Sequence, residues 1–156
     1  MQWTKLMICL GGCQLAGILG AFFTRAAIPG WYALLKKPSF TPPNWLFGPA
    51  WITLYLLMGI AAYLVWRQGL LTPGVRSALS VFLVQLALNA LWSPVFFGLR
   101  SPLAGAGVIV LLWLVIIITI VMFWHLSKPA ALLLVPYILW VSYASILNIS
   151  IWLLNR

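Results

Sequence analysis

Long apolar runs separated by short polar breaks make up most of this chain. A helix that crosses the hydrocarbon of a bilayer needs about 20 mostly apolar residues. Runs of that kind cover residues 6–23, 45–66, 77–99, 103–125 and 130–154. The breaks hold residues that stop helices. Gly69, Pro73 and Gly74 follow the second run, Arg100-Ser101-Pro102 the third and Ser127-Lys128-Pro129 the fourth. The pattern predicts an all-α integral membrane bundle of five transmembrane helices, a single domain over residues 1–156. Most of the connections are so short that consecutive helices must be antiparallel neighbours. The exception is residues 24–44, read as a long loop containing Arg25, Pro29, Gly30, Lys36, Lys37, Pro38, Pro42 and Pro43. The first run follows Lys5 as a signal peptide would, but it exceeds the about 7–15 apolar residues of such a segment and is read as a helix.

Composition supports the bilayer. Of 156 residues, 65% are hydrophobic and 6% charged, with a mean hydropathy of +1.11. A soluble domain carries about 25% charged residues, and so short a chain has too much surface to hide this much apolar side chain from water. There are nine Lys and Arg and no Asp or Glu, a net charge of +9. The bases stand singly between apolar runs and form no stripe, which excludes a nucleic-acid interface. At the ends of membrane spans they meet lipid phosphates. Lys5, Arg67, Arg76 and Lys128 fall on one side, and Arg25, Lys36, Lys37, Arg100 and Arg156 on the other. This near balance leaves orientation weakly determined; the long first loop and the carboxy terminus are expected on the cytoplasmic side.

The missing carboxylates also narrow the chemistry. Carboxylate dyads, Ser-His-Asp triads and carboxylate metal cages are excluded, so no metal centre is expected and no cofactor is required. The one His, His125, lies beside Trp124 at a span end, where it reads as an interfacial anchor rather than an axial haem ligand. Cys9 and Cys13 share one face of one helix and read as small apolar space-fillers. Ten Trp are present. Trp3, Trp66, Trp124 and Trp152 suit an aromatic belt at the interfaces. Trp113 has no polar neighbour in sequence and is expected to face lipid or a packing seam.

Inside the spans, polar and aromatic residues share helix faces. Gln85, Asn89, Trp92 and Phe96 fall on one face of the third span, and Tyr137, Trp140, Ala144 and Leu147 on one face of the fifth. Tyr143 and Asn148 edge the latter, and Trp51, Tyr55 and Met58 share a face of the second. An amide facing lipid is costly, so these residues either bond between helices or line a ligand pocket. Aromatic planes with sparse amides and phenols suit a flat, largely apolar ligand. Arg25, Lys36 and Lys37 in the first loop are placed to meet an acidic group at its mouth. On the first span, Gly12, Ala16 and Gly20, and Cys13, Gly17 and Ala21, repeat every four residues. That spacing lets helices approach closely, within the bundle or between copies.

Several blocks in fixed order resemble one family. They are Trp31-Tyr32-x-x-Leu35-x-Lys37-Pro38-Ser39-Phe40-Thr41-Pro42-Pro43, Pro49-Ala50-Trp51, Gln85-x-x-x-Asn89-x-x-Trp92-Ser93-Pro94-x-Phe96-Phe97, Val135-Pro136-Tyr137-x-x-Trp140 and Leu147-Asn148. Together they are similar to the tryptophan-rich sensory protein, or translocator protein (TSPO), family, over nearly the whole chain. The resemblance implies a five-helix membrane protein, often a homodimer, that binds tetrapyrroles such as protoporphyrin IX and haem. It implies a pocket that includes Tyr32, Pro42, Trp51, Asn89, Trp92, Trp140, Ala144 and Leu147. In some members light-dependent breakdown of protoporphyrin is attributed to two pocket Trp residues, which here match Trp51 and Trp140. The expected function is a membrane receptor or sensor for porphyrins; the alternatives are a porphyrin transporter and a light-dependent porphyrin-degrading protein. Two departures stand out. Phe40 stands where the family often has Trp. The animal sterol motif loses its Tyr and Arg at Ile149 and Leu153, which argues against a sterol ligand.

Overall fold

The structure, a computed structural model, describes residues 2–156. Its helices are α1 (Trp3–Ala27), α2 (Asn44–Trp66), α3 (Val75–Ser93), α4 (Pro102–Leu126), α5 (Lys128–Leu133) and α6 (Val135–Leu154). A π-helical segment, Ile28–Tyr32, prolongs α1, and a second, Pro94–Gly98, prolongs α3. The membrane-crossing units are five: Trp3–Tyr32, Asn44–Trp66, Val75–Gly98, Pro102–Leu126 and Lys128–Leu154. This is an all-α integral membrane protein.

The turns follow their sequence chemistry. Ser101 and Ser127 cap α4 and α5, accepting from the backbone N–H of Ala104 and Ala130 at 3.2 and 3.4 Å. Each is followed at the first helical turn by Pro, whose missing N–H has no partner to lose there. Gly74 caps α3 with φ +85°, a left-handed conformation that glycine adopts without penalty.

The first boundary differs from the sequence reading. Pro29 and Gly30 do not end the helix; the backbone stays helical to residue 34, and only residues 35–43 are irregular. Proline removes one donor from the ladder and crowds the preceding turn. A π turn, bonded i to i+5, passes over that gap. The same device follows Pro94, where the Leu99 N–H donates to the Pro94 carbonyl at 2.9 Å. Arg25 therefore stands on α1 and Tyr32 on its π extension, neither of them in a loop.

Met58, Ala61, Val65, Ile116, Phe123 and Tyr137 are buried in the core, and the Phe82 and Phe123 rings stack at 5.8 Å. α1 lies against α2 and α3, and α4 against α3 and α6. Small residues allow these approaches. A Cβ on Gly17 would lie 2.6 Å from the Tyr55 ring, and one on Gly59 would lie 3.0 Å from Leu10 Cα. Cys13, Ala16 and Gly20 are buried on this same inner face of α1, so most of the small-residue pattern serves packing within the bundle. Gly11 and Gly12 face open space. Trp113 lies in the seam between α4 and α6, and its Nε1–H donates to Ser142 Oγ at 2.8 Å, a partner its sequence neighbours do not show.

The irregular segment is fastened to α6 at two points. The Lys36 N–H donates to Asn155 Oδ1 at 3.0 Å, and Asn155 Nδ2 donates back to the Lys36 carbonyl at 2.8 Å. The Tyr143 hydroxyl donates to the Phe40 carbonyl at 2.6 Å. The segment and the end of α6 thus share one end of the bundle.

Candidate functional site

The amides of α3 find phenols on the neighbouring helices. Asn89 Oδ1 accepts from the Tyr55 hydroxyl of α2, and Asn89 Nδ2 donates to the Tyr137 hydroxyl of α6 at 2.7 Å. The Tyr137 hydroxyl in turn donates to Gln85 Oε1 at 2.7 Å. Gln85 and Asn89 are 1% and 5% exposed. One turn further, Trp92 Nε1–H donates to Asn148 Oδ1 at 3.0 Å, and Asn148 Nδ2 donates to the Pro102 carbonyl at 2.8 Å. The helices are cross-linked by these hydrogen bonds, and Tyr55, Asn89, Trp92 and Asn148 among the linked residues form part of a wall.

That wall encloses a cavity of about 520 Å³ at the loop end of the bundle, within the size range of small-molecule sites. Trp51 is the centre of its aromatic side. Its ring stacks on Tyr55 at 5.5 Å and meets Trp140 nearly perpendicularly at 6.3 Å. Phe47 stands edge-on to Trp140 at 6.2 Å. Across the cavity Trp92 stacks on Phe96 at 5.0 Å, and Tyr32 packs edge-on to Phe97 at 5.6 Å. The two π segments thus interlock their aromatic rings beside the site. Ala144 and Leu147 of α6 complete the apolar lining.

Of the residues singled out in the sequence, Tyr32, Trp51, Asn89, Trp92, Trp140, Ala144, Leu147 and Arg25 lie on the wall. Pro42, Lys36 and Lys37 are not among the lining residues. Pro42 sits in the irregular segment. Lys36 is held at its backbone by Asn155. Lys37 turns its ammonium over the outer face of the Tyr32 ring, 4.6 Å from its centroid, and donates to the Leu35 carbonyl at 3.2 Å. Gln85 stands behind the wall, and His125 lies in the last turn of α4, beyond the cavity.

The sequence reading missed Gln14, Thr24, Phe47 and Ser93, all on the wall. Gln14, the one amide in the first apolar run, was a legible signal. Thr24 and Ser93 approach at 3.3 Å across α1 and α3, and nothing in their spacing indicates that meeting. Among the described residues, Trp140 Nε1 and Gln85 Nε2 are buried without a hydrogen-bond partner. With no carboxylate in the chain, the site offers ring stacking, a few neutral hydrogen-bonding groups and one guanidinium.

Residues 9–153 match the model of the TspO/MBR family. The "Tryptophan-rich protein TspO" of Archaeoglobus fulgidus is 48% identical over 155 residues, 99% of each chain. The "Translocator protein" of Bos taurus is 41% identical, over 92% of this chain and 85% of its own. The "Tryptophan-rich sensory protein" of Cereibacter sphaeroides is 36% identical, over 99% of this chain and 94% of its own.

Proposed function

The chain belongs to the TspO/MBR family, and from that premise we propose that it is a membrane receptor or sensor whose ligand is a tetrapyrrole, protoporphyrin IX or haem. The word "sensory" in the name of the Cereibacter sphaeroides relative supports the coarser part of this reading. The observation that carries the finer part is the aromatic lining. Trp51, Trp140, Trp92 and Tyr32 surround an apolar space with planes, which is the complement of a large flat ring. Arg25 is the one cation on that wall, and a tetrapyrrole carries acidic side groups at its rim. Aromatic contacts contribute about 0.5–1.5 kcal/mol each beyond the burial of their area. An exposed ion pair contributes about 0.2–1 kcal/mol. The rings therefore provide most of the affinity, and the guanidinium provides orientation. Haem would be held by stacking, since His125 lies away from the wall.

The test is a fluorescence titration of purified protein with protoporphyrin IX. Trp51→Ala and Trp140→Ala are each expected to weaken binding several-fold to about tenfold. Wild-type protein without saturable binding overturns the reading. A second reading rests on the near-perpendicular indoles of Trp51 and Trp140 at 6.3 Å, two oxidisable rings beside a light-absorbing ligand. It expects light- and oxygen-dependent loss of protoporphyrin absorbance that Trp51→Phe and Trp140→Phe suppress. Equal loss in the dark ends it.

A further inference from the structure

The cavity has an open side, between α1 and α2. The two helices run antiparallel and touch closely at their far half, where Leu10 meets Gly59 and Gly17 meets Tyr55. Gln14 is the last clasp between them: its Nε2 donates to the Ile52 carbonyl at 3.1 Å. Continuing that register toward the loop end brings Ala21 level with Gly48, and Arg25 level with Asn44. All four line the cavity. A Cβ added to Gly48 would meet nothing within 4 Å, so the helices have parted there. From Gly17 to Arg25 the opening extends roughly 12 Å, at about 1.5 Å of rise per residue.

The flanks of this opening are apolar and unshielded. Ile18 is 64% exposed, Ile52 62% and Trp45 71%, yet each also borders the cavity. A residue can be both only at the rim of a hole. These helices cross a bilayer, so the hole faces lipid chains and not water. The irregular segment at the loop end is itself held at Lys36 and Phe40 by Asn155 and Tyr143.

We propose that the cavity exchanges its ligand sideways with the bilayer through the α1–α2 opening, and that Gln14 positions the two helices at its inner end. The ligand class that follows is an amphiphile already dissolved in the membrane, with a flat apolar body and an acidic rim. It would slide between Ala21 and Gly48 while its acidic edge stays at Arg25, near the membrane surface. The identity of that amphiphile rests on the tetrapyrrole reading above; the opening itself does not.

The experiment uses the full chain in phosphatidylcholine vesicles. Protoporphyrin IX is delivered from loaded vesicles, and binding and release are followed by stopped-flow fluorescence. Gly48→Leu fills the gap from α2 with a good helix former, and Ile18→Trp fills it from α1. Each is expected to slow association and dissociation by about tenfold, the change made by roughly 1.4 kcal/mol on one shared barrier, slower release being the reading that a mere loss of affinity does not give. Asn155→Ala with Tyr143→Phe, which unfastens the segment, is expected to leave both rates unchanged. Wild-type rates in both plugged variants, faster exchange in the unfastened one, or weaker binding without slower release overturns the proposal. A second readout needs no porphyrin. Lipids brominated on their acyl chains are expected to quench Trp51, isolated as the difference between wild type and Trp51→Phe, and Gly48→Leu is expected to reduce that quenching. Quenching with no porphyrin binding removes the tetrapyrrole and keeps the opening; porphyrin binding with no quenching of Trp51 removes the opening.

Discussion

Asn89 is the residue on which three helices converge, taking a hydrogen bond from Tyr55 and giving one to Tyr137. Its side chain lies on the cavity wall, but its amide is already engaged by protein. Its bonds hold the rings of Tyr55 and Tyr137 in place. A hydrogen bond between transmembrane helices contributes about 0.6 kcal/mol on average, and Tyr55→Phe, which removes one hydroxyl, is expected to destabilise by about that much. Asn89→Leu strands the buried Tyr55 hydroxyl and leaves Tyr137 only its bond to Gln85, and an unsatisfied buried group costs about 1–3 kcal/mol. Thermal unfolding in mild detergent should therefore separate the two variants, with Asn89→Leu clearly the less stable. Equal melting temperatures would show that the phenols find other partners. The face holding Asn89 was legible in the sequence, because amide and indole at i and i+3 in an apolar span must point one way. Its partners were not, since phenols on two other helices meet it only after the bundle closes. For the same reason Trp113 looked unpartnered until Ser142 was brought beside it.

At the scale of elements, the five spans were legible because about 20 apolar residues have few other uses. The ends of the first were not. Pro29 and Gly30 are ordinary helix breakers, and only the π turn that bypasses the proline keeps Ile28–Tyr32 helical. That one difference places Arg25 on α1 and on the cavity wall, while Lys36 and Lys37 stand in the irregular segment and are not among the lining residues. The irregular segment 35–43 that remains is held from outside. Asn155→Ala removes both bonds to Lys36 and is expected to speed cleavage of this segment by an added protease severalfold, with the rest of the bundle still resistant. An unchanged cleavage rate would mean that Tyr143 alone secures it. The packing of α1 on α2 rests instead on Gly59. A methyl there meets Leu10 Cα at 3.0 Å and the Cys9 carbonyl at 3.2 Å, and backbone gives way less easily than side chain. Gly59→Ala is expected to destabilise by about 1–3 kcal/mol, as overpacked sites do, read as a lower melting temperature.

The whole molecule presents nine bases and no Asp or Glu to its surroundings, and three of its lysines stand over aromatic rings. Lys5 lies 5.5 Å from the Trp66 ring and Lys128 5.6 Å from the Trp124 ring, both at the end opposite the cavity. We propose that the protein is a homodimer, as the family resemblance implies, with the outer face of α1 available at Gly11 and Gly12. Crosslinking in mild detergent should trap a dimer, and Gly12→Leu should reduce it; monomer alone would end the proposal. The double bond between Asn155 and Lys36 has one more consequence, in the order of synthesis. Ribosomes deliver a membrane chain span by span, and Lys36 leaves the ribosome long before Asn155. Trp140, Ala144 and Leu147 also arrive with the final span. The first four spans can therefore be inserted while the cavity wall is unfinished and the irregular segment is not yet fastened. A nascent chain should be unable to hold a ligand, and capacity should appear all at once when α6 docks.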